Sequence, residues 1–137
     1  MVDADGSDEH AISEDIHDEY WPAWSPAGDR IAFSRVMGGA DNRPHFVVVD
    51  PDGGNEVVLG SDGDPNYSGA SPIWSPDGRY LLGGVYLDES GAYSNCSPVP
   101  PCATLELHII DARDVEPVRK LSLDRNFWNI AWQRQAP

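Results

Sequence analysis

Short apolar runs recur along the chain, and each is bounded by Pro, Gly, Asp or Ser residues. Continuous apolar runs of this length are typical of buried strands, and Asp-Gly pairs between them are typical of tight turns. No segment of ten or more residues shows the 3.6-residue apolar period of a helix, so the pattern predicts an all-β chain. The predicted second, third and fourth strands are 31–33, 46–49 and 56–59, followed by 80–82, 105–110 and 118–121.

Two motifs recur along the chain in a constant order. Trp24-Ser25-Pro26-Ala27-Gly28 is followed fifty residues later by Trp74-Ser75-Pro76-Asp77-Gly78, and a shortened copy stands at Ala131-Trp132-Gln133. The second motif recurs at 2–6, 49–53 and 110–114. Each Trp ends a first strand, where its ring fills space between neighbouring sheets, and the Pro after Ser stops that strand. Internal repetition at this period indicates a repeat architecture.

The order strand, turn, strand, loop, strand, turn, strand describes a four-stranded antiparallel blade, and blades repeat radially in propellers. We therefore predict a β-propeller segment of about two four-stranded antiparallel blades plus partial terminal strands. An acidic leader at 1–20 is expected to carry an outer strand of a preceding blade, near 10–13. The other expected parts are blade 1 at 21–60, blade 2 at 61–123 with an inserted rim loop at 88–103, and the inner strand of a closing blade at 124–137.

The Trp-Ser-Pro-Asp-Gly-Arg motif at 74–79, with the Val-Val-Asp-Pro-Asp-Gly-Gly motif at 48–54, resembles the WD40-like PD40 repeat of TolB-type propellers. The resemblance covers nearly the whole chain, and the first copy departs from it at Ala27, where the repeat has Asp. It implies a propeller architecture. Propellers of this type serve as binding scaffolds, as domains beside proteases and as certain sugar-acid lyases, so the architecture alone does not assign a function.

Two blades fall short of a closed propeller, which has about four to eight. One interpretation is that the chain is the C-terminal part of a longer propeller. The other is that copies assemble into a ring, but an inner strand from one copy and an outer strand from the next would leave two middle strands missing. The first interpretation is therefore favoured, and the expected partners include the remaining blades or further copies of the chain.

The chain is strongly acidic, with a formal net charge of −14. A surface of this sign repels phosphate backbones and anionic lipids, so nucleic-acid and membrane-surface binding are not expected. No apolar run approaches the roughly 20 residues of a membrane helix. The segment 1–19 lacks the basic start and apolar centre of a signal peptide.

Cys96 and Cys102 enclose a Ser-Pro-Val-Pro-Pro segment. The prolines bend the chain, so a short-loop disulfide is the favoured interpretation, and two free thiols are the alternative. A disulfide implies an oxidising compartment, which predicts a periplasmic or extracellular location. The pair makes a poor zinc site, because two sulfurs need two further ligands and no CxxC or HxxxH motif accompanies them.

The inserted loop at 88–103 is the most individual feature of the chain. Rim loops are where repeat scaffolds place their contacts, so we predict a partner-contact surface there, with a variable decoration as the alternative. The candidate contact residues are Tyr86, Tyr93, Pro98 and Pro100.

No catalytic, cofactor-binding or metal-binding residues are predicted. The Asp-rich stretches 3–8 and 62–66 fail the spacing of an EF-hand loop, and Asp and Gly are what β-turns require, so weak calcium binding is only an alternative there. Ser25 and Ser75 lie in Trp-Ser-Pro rather than in a Gly-x-Ser-x-Gly elbow.

The function expected from these features is a non-enzymatic scaffold that binds a protein or peptide through its rim loops or central channel. The alternative is the propeller portion of a larger enzyme, either a gating domain beside a serine peptidase or a lyase-type propeller. A serine elbow in a neighbouring domain would favour the peptidase, and a His-rich metal cluster in further blades would favour the lyase.

Overall fold

The computed structural model describes residues 1–2, 5–13, 17–36, 44–59, 71–87, 104–113, 117–123 and 131–132. Every regular element within these ranges is a strand. The strands are β1 (Asp18–Trp24), β2 (Ile31–Val36), β3 (Pro44–Val49), β4 (Val57–Leu59), β5 (Ile73–Trp74), β6 (Tyr80–Leu87), β7 (Thr104–Asp111) and β8 (Pro117–Leu123). They form two four-stranded antiparallel sheets, in the orders β1-β2-β3-β4 and β5-β6-β7-β8. The predicted all-β class with two antiparallel blades is confirmed.

The blade edges differ in detail from the sequence-based boundaries. β1 begins at Asp18, ahead of the expected start of blade 1 at residue 21, because Asp18 already pairs with Val36 of β2. The sequence predicts an outer strand near 10–13, and the structure assigns no strand to these residues. A strand needs a paired neighbour. Among the described residues, His10 exchanges backbone hydrogen bonds with Met1, and a single pair of this kind does not make the longer ladder of a strand.

The repeated turn between the first and second strands is organised by a buried serine in each blade. The Ser25 hydroxyl accepts hydrogen bonds from the backbone N–H of Asp29 (3.2 Å) and of Arg30 (3.1 Å). The Ser75 hydroxyl accepts one from the N–H of Tyr80 (2.9 Å). Both serines therefore stabilise the start of the second strand from inside the turn, which is a structural role and explains their place in the motif.

Each serine hydroxyl also donates to a nearby aspartate. Ser75 donates to Asp77, the acidic residue of the Pro-Asp-Gly motif. The first blade has Ala27 at that position, and there Ser25 donates to Asp29 at 2.7 Å instead. The first copy thus keeps the hydroxyl–carboxylate bond of the repeat although the motif itself has changed.

Side chains that alternate along β2 and β3 fill two separate apolar clusters. One lies between the two sheets, where Ala32, Phe46, Val48 and Leu59 of the first sheet meet residues of the second. Those residues of the second sheet are Trp74, Leu81, Val85, Ile110 and Ala112. The other cluster, on the opposite face of the first sheet, consists of Ile31, Phe33, Val47 and Val49. The leader residues Met1 and Ile12 pack against this second cluster. We call the face that carries it the proximal face.

The guanidinium of Arg35 is buried on the proximal face, at the edge of this second cluster. Arg35 is 2% exposed, and its Nε lies 2.8 Å from Glu19 Oε1. Its Nη1 and Nη2 lie 2.8 and 2.9 Å from the two carboxylate oxygens of Glu56. Ser13 of the leader donates to the same Glu19 oxygen at 2.8 Å. Burial alone would lower the pKa of Arg35, but the hydrogen bonds to Glu56 and Glu19 raise it, so the side chain stays charged.

Candidate functional site

Three tryptophans occupy the same position in successive repeats, and two of them make the same contact. The Trp74 indole N–H donates to the Ala23 carbonyl at 2.9 Å, and the Trp132 indole N–H donates to the Ile73 carbonyl at 3.0 Å. Each acceptor is the residue just before the Trp of the preceding repeat. The indole therefore joins the first strand of one blade to the first strand of the blade before it. We call this contact the tryptophan bridge.

Arg30 reinforces the bridge between the two blades. Its Nη2 donates to the Gly78 carbonyl at 2.5 Å, and its guanidinium carbon lies 4.9 Å from the centre of the Trp74 ring. A guanidinium over an indole face is a favourable cation–π contact. A single side chain of the first blade thus contacts both the turn and the tryptophan of the second.

Trp24, the tryptophan of the first repeat, is placed differently from its two equivalents. It is 50% exposed, whereas Trp74 is 9% exposed. Among the described residues, no blade precedes β1 and no backbone carbonyl stands in the position that Ala23 and Ile73 occupy for the other two indoles. The first strand of the first blade therefore leaves a large aromatic side chain on the surface.

Two further aromatic residues are exposed on the same strand. Tyr20 is 46% and Trp21 47% exposed, and their ring centres lie 5.8 Å apart in a tilted arrangement. The pairing of β1 with β2 shifts register between Tyr20 and Ala23, and Trp21 has a φ of 55° within this bulge. A bulky residue in the left-handed region is a conformational outlier, and such outliers cluster at functional sites. We call Tyr20 and Trp21 the aromatic pair.

An open pocket of about 730 Å³ lies at the turn end of the two blades. It is lined from the first blade by residues including Asp29, Arg30, Asp50 and Asp52, and from the second by Ala112 and Arg113. Both acidic and basic side chains line it. No group of three or more His, Cys, Asp or Glu side chains close enough to hold a metal ion occurs in the part of the chain that the structure describes.

The aspartates that accept from the turn serines have lowered pKa values. The hydrogen bond from the Ser25 hydroxyl lowers the pKa of Asp29, and the bond from the Ser75 hydroxyl lowers that of Asp77. Both groups therefore favour the charged form, which stabilises the turns at neutral pH.

This arrangement predicts a pH-dependent effect of Asp77→Asn. Because the pKa of Asp77 is lower in the folded than in the unfolded chain, the carboxylate stabilises the fold above the unfolded value of about 3.9, and that stabilisation is lost as the pH falls through the folded value. The variant is expected to be less stable than the wild type at pH 7, and the gap should close by about pH 2. Urea unfolding at a series of pH values measures it. Ser75→Ala should show the same pH-dependent loss on top of a constant one, because its hydroxyl also accepts from the Tyr80 N–H. An Asp77→Asn gap independent of pH would contradict the assignment.

The residues predicted for a partner-contact loop fall mostly outside the described ranges. Tyr93, Pro98 and Pro100 lie there, as do Cys96 and Cys102, so the loop surface and the disulfide stay predictions. Tyr86 lies inside β6, where its backbone pairs with Leu105 of β7. The inner strand predicted at 129–133 is described only at Ala131 and Trp132.

The other candidate residues make contacts typical of turns or of the protein core, wherever the structure describes them. Asp5 accepts hydrogen bonds from the backbone N–H and the hydroxyl of Ser7, as expected of a turn residue. Asp62 and Asp64 lie outside the described residues. His108 is fully buried, and its Nε2 lies 3.2 Å from Glu106 Oε2. Among the described residues, no helix has the length and apolarity that crossing a membrane requires.

The sequence reasoning missed the aromatic pair and the Arg35 cluster. Tyr20-Trp21 stands where the second repeat has Ala70-Ser71, so comparison of the two copies could have identified the pair. The Arg35 cluster joins residues from the leader, β1, β2 and the segment before β4, and no local spacing indicates it.

Comparisons with known proteins support the fold. No family model matches the chain. An uncharacterized protein of Agrobacterium fabrum is 33% identical over 86 residues, which cover 56% of this chain and 28% of that protein. The crystal structure of TolB from Acinetobacter baumannii aligns over 86% of this chain and 25% of that one, with 22% identity and a TM-score of 0.54. The acylaminoacyl peptidase of Pyrococcus horikoshii aligns over 79% and 18%, with 21% identity and a TM-score of 0.55.

The two solved structures share 22% and 21% identity with this chain, so their likeness supports the fold alone. The chain spans 28% of the length of the curated relative it matches, and 25% and 18% of the two solved structures. Two antiparallel sheets, joined by the tryptophan bridge and similar to part of TolB, define the chain as a propeller-like segment of two blades.

Proposed function

We propose that this chain contributes two blades to a TolB-like propeller of the PD40 repeat type, and that the propeller is a non-enzymatic scaffold that binds a protein or peptide. The aromatic pair on β1 is the observation that carries the proposal. First strands of propeller blades surround the central channel, so Tyr20 and Trp21 would face a partner that enters there.

The aromatic pair is not explained by the needs of the repeat. The second blade has Ser71 at the position of Trp21, and among the described non-glycine residues only Asp8, Trp21 and Asn55 have a positive φ. A strained backbone of this kind costs on the order of 1–3 kcal/mol and persists where the structure enforces it. The first blade therefore presents a large indole to solvent at a place where the fold accepts a serine.

The chemistry of the surface indicates the kind of partner. Exposed Trp and Tyr side chains are the residues that most often anchor protein interfaces, and their ring faces attract cationic side chains. The exposed Asp18 lies on the same strand, and the chain as a whole carries a net charge of −14. A peptide with Lys or Arg beside an apolar residue fits both features. We place the protein in the periplasm or outside the cell, on the strength of the predicted Cys96–Cys102 disulfide.

A peptide selection tests this function. A random peptide library displayed on phage is selected on the full chain, and the recovered peptides are synthesised. We expect basic peptides with micromolar affinity, and we expect Trp21→Ala to weaken them about 30-fold, as the loss of an interface hot spot does. Val2→Ala is the matched control, because Val2 is 53% exposed but lies in the leader. Equal binding by both variants, or no recovered peptide, would overturn the proposal.

The second candidate is the propeller portion of a larger enzyme. Its support is that the chain spans only 18–28% of the proteins it matches, which leaves room for a further domain in a longer protein. In that case we expect a nucleophile from outside this chain, because the sequence contains no Gly-x-Ser-x-Gly elbow, and Ser25 and Ser75 are buried in their turns.

A further inference from the structure

The leader has the backbone conformation of the hairpin that joins β3 to β4. Residues 47 positions apart share unusual dihedral angles: φ is 85° at Gly6 and 83° at Gly53, and 52° at Asp8 and 51° at Asn55. Left-handed φ values are uncommon for residues other than glycine. Two such positions at one constant spacing are therefore a specific match rather than a general property of turns.

The hydrogen bonds of the two segments match at the same spacing. Asp5 accepts from the N–H of Ser7 at 3.0 Å, and Asp52 accepts from the N–H of Gly54 at 2.8 Å. His10 donates its backbone N–H to the Met1 carbonyl at 2.8 Å, and Met1 donates back to the His10 carbonyl.

The equivalent of the Met1–His10 contact in the first blade is a ladder pair. Val48 and Val57, each 47 positions further along, are paired between β3 and β4. The described residues 1–2 and 5–13 therefore match the end of a third strand, the latter part of a turn and the position of a fourth strand.

This leader hairpin covers the outer half of the proximal face. Ile12 packs against the second apolar cluster, and its backbone passes so close to Gly53 that a Cβ there would lie 2.6 Å from the Ile12 carbonyl oxygen. The corresponding residue of the first blade, Leu59, packs in the same way in the cluster between the two sheets. The leader thus takes the place of the outer part of a preceding blade.

The inner half of the proximal face lacks such a cover. Trp24 stands there with half of its surface exposed, although Trp74 and Trp132 each reach the first strand of the blade before them. The hairpin supplies third- and fourth-strand positions only. In the part of the chain that the structure describes, no first and second strand accompany this hairpin, so none offers a carbonyl to the Trp24 indole.

We infer that the inner half of the proximal face, centred on Trp24, is a docking surface for the first two strands of another blade of the same repeat, supplied by residues outside this chain. The Trp24 indole N–H donates to the backbone carbonyl of the residue before the tryptophan of that incoming strand. The incoming strands lie beside the leader hairpin and complete its blade. This inference does not depend on the proposed partner binding by Tyr20 and Trp21.

A second copy of this chain is the less suitable occupant. Its third repeat, with Ala131 before Trp132, is predicted to supply one inner strand rather than the two that the surface takes. To place its second blade against Trp24 of another copy, it would have to offer the Ile73 carbonyl. That carbonyl already accepts from its own Trp132 at 3.0 Å. The share of the solved neighbours that the chain spans, 25% and 18%, is consistent with blades supplied from a longer polypeptide.

The match between the hairpins provides a direct test. Since Met1 takes the place of Val48, residues 18–47 of this chain joined directly in front of Met1 should form a complete additional blade. The probe is the full chain with this extension, labelled with 5-fluorotryptophan, and Trp24→Phe assigns the Trp24 resonance. We expect Trp24 to lose its solvent isotope shift and to become several-fold less sensitive to acrylamide, and the midpoint of urea unfolding to rise.

The control joins residues 18–46 to Met1, which shifts the register by one residue and turns the new side chains to the opposite face. It should leave Trp24 exposed. The proposal is overturned if Trp24 is equally exposed with and without the in-register extension, or equally protected in both fusions. It is also overturned if light scattering shows the unextended chain to be a dimer in which Trp24 is protected.

Discussion

Replacing Trp74 with alanine is expected to lower the free energy of unfolding by about 4 kcal/mol, the range found for large aromatic residues deleted from a core. Trp74 lies in the cluster between the two blades, donates to the Ala23 carbonyl at 2.9 Å and lies under the Arg30 guanidinium. The variant leaves a cavity between the sheets and an unpaired carbonyl on β1. The two blades are expected to lose their mutual packing before either loses its own strand pairing.

The matched control is Trp24→Ala, the same substitution at the equivalent position of the first repeat. Trp24 is 50% exposed, so its removal should change the free energy of unfolding by less than about 1 kcal/mol. Trp74→Phe keeps most of the ring and removes the N–H donor, so it isolates the tryptophan bridge at about 1 kcal/mol. Urea unfolding followed by circular dichroism measures all three variants. Equal effects of Trp74→Ala and Trp24→Ala would show that the bridge does not hold the blades together.

The strands and turns could be predicted from the sequence because their determinants are local. Continuous apolar runs indicate the second and third strands of both blades. Short turns join β1 to β2, β3 to β4 and β5 to β6, and their Gly-containing motifs are recognisable in the sequence. The role of the serine in the repeated motif could not be predicted in this way. Its function is a set of hydrogen bonds to residues four and five positions away, which only the folded turn brings together.

In the leader, the repeated motif could be recognised in the sequence, but the conformation of the segment could not be predicted from it. The motif at 2–6 indicates the turn of a preceding blade, and Gly6 does adopt the conformation of Gly53. No strand is assigned at 10–13, where the described residues show one backbone pair, between His10 and Met1, rather than the ladder that a strand needs. The exposure of Trp24 could not be predicted for the same reason. How far a residue of a repeat is exposed depends on the neighbouring repeat and not on its own motif.

The candidate site was harder to predict than the fold. The sequence directs attention to the inserted loop at 88–103, whereas the described surface exposes aromatic residues on β1. A pair such as Tyr20-Trp21 in an apolar strand is read as core, because large apolar residues are usually buried there. Only the bulge between Tyr20 and Ala23, which no local sequence signal specifies, turns both rings to solvent.

Arg35→Met is expected to lower the free energy of unfolding by about 2 kcal/mol, because Glu19 and Glu56 lose their hydrogen bonds from a buried, charged donor. Arg35 is 2% exposed, while Glu19 and Glu56 are 26% and 40% exposed. Met fills the space of the side chain stem, so the loss reports the charge and its hydrogen bonds rather than a cavity. Arg35→Lys keeps the charge but not the bidentate contact to Glu56, and an intermediate effect is expected.

The exposed pair of Arg79 and Asp111 provides the control for this prediction. Their side chains lie 3.2 Å apart, and Arg79 is 62% exposed. Arg79→Met should therefore cost no more than about 1 kcal/mol, and 1 M salt should remove most of that cost by screening. The effect of Arg35→Met should persist in salt, because the guanidinium is shielded from solvent. If the two substitutions cost the same at low salt, or if salt abolishes both effects, the Arg35 cluster does not hold the leader and the first blade together.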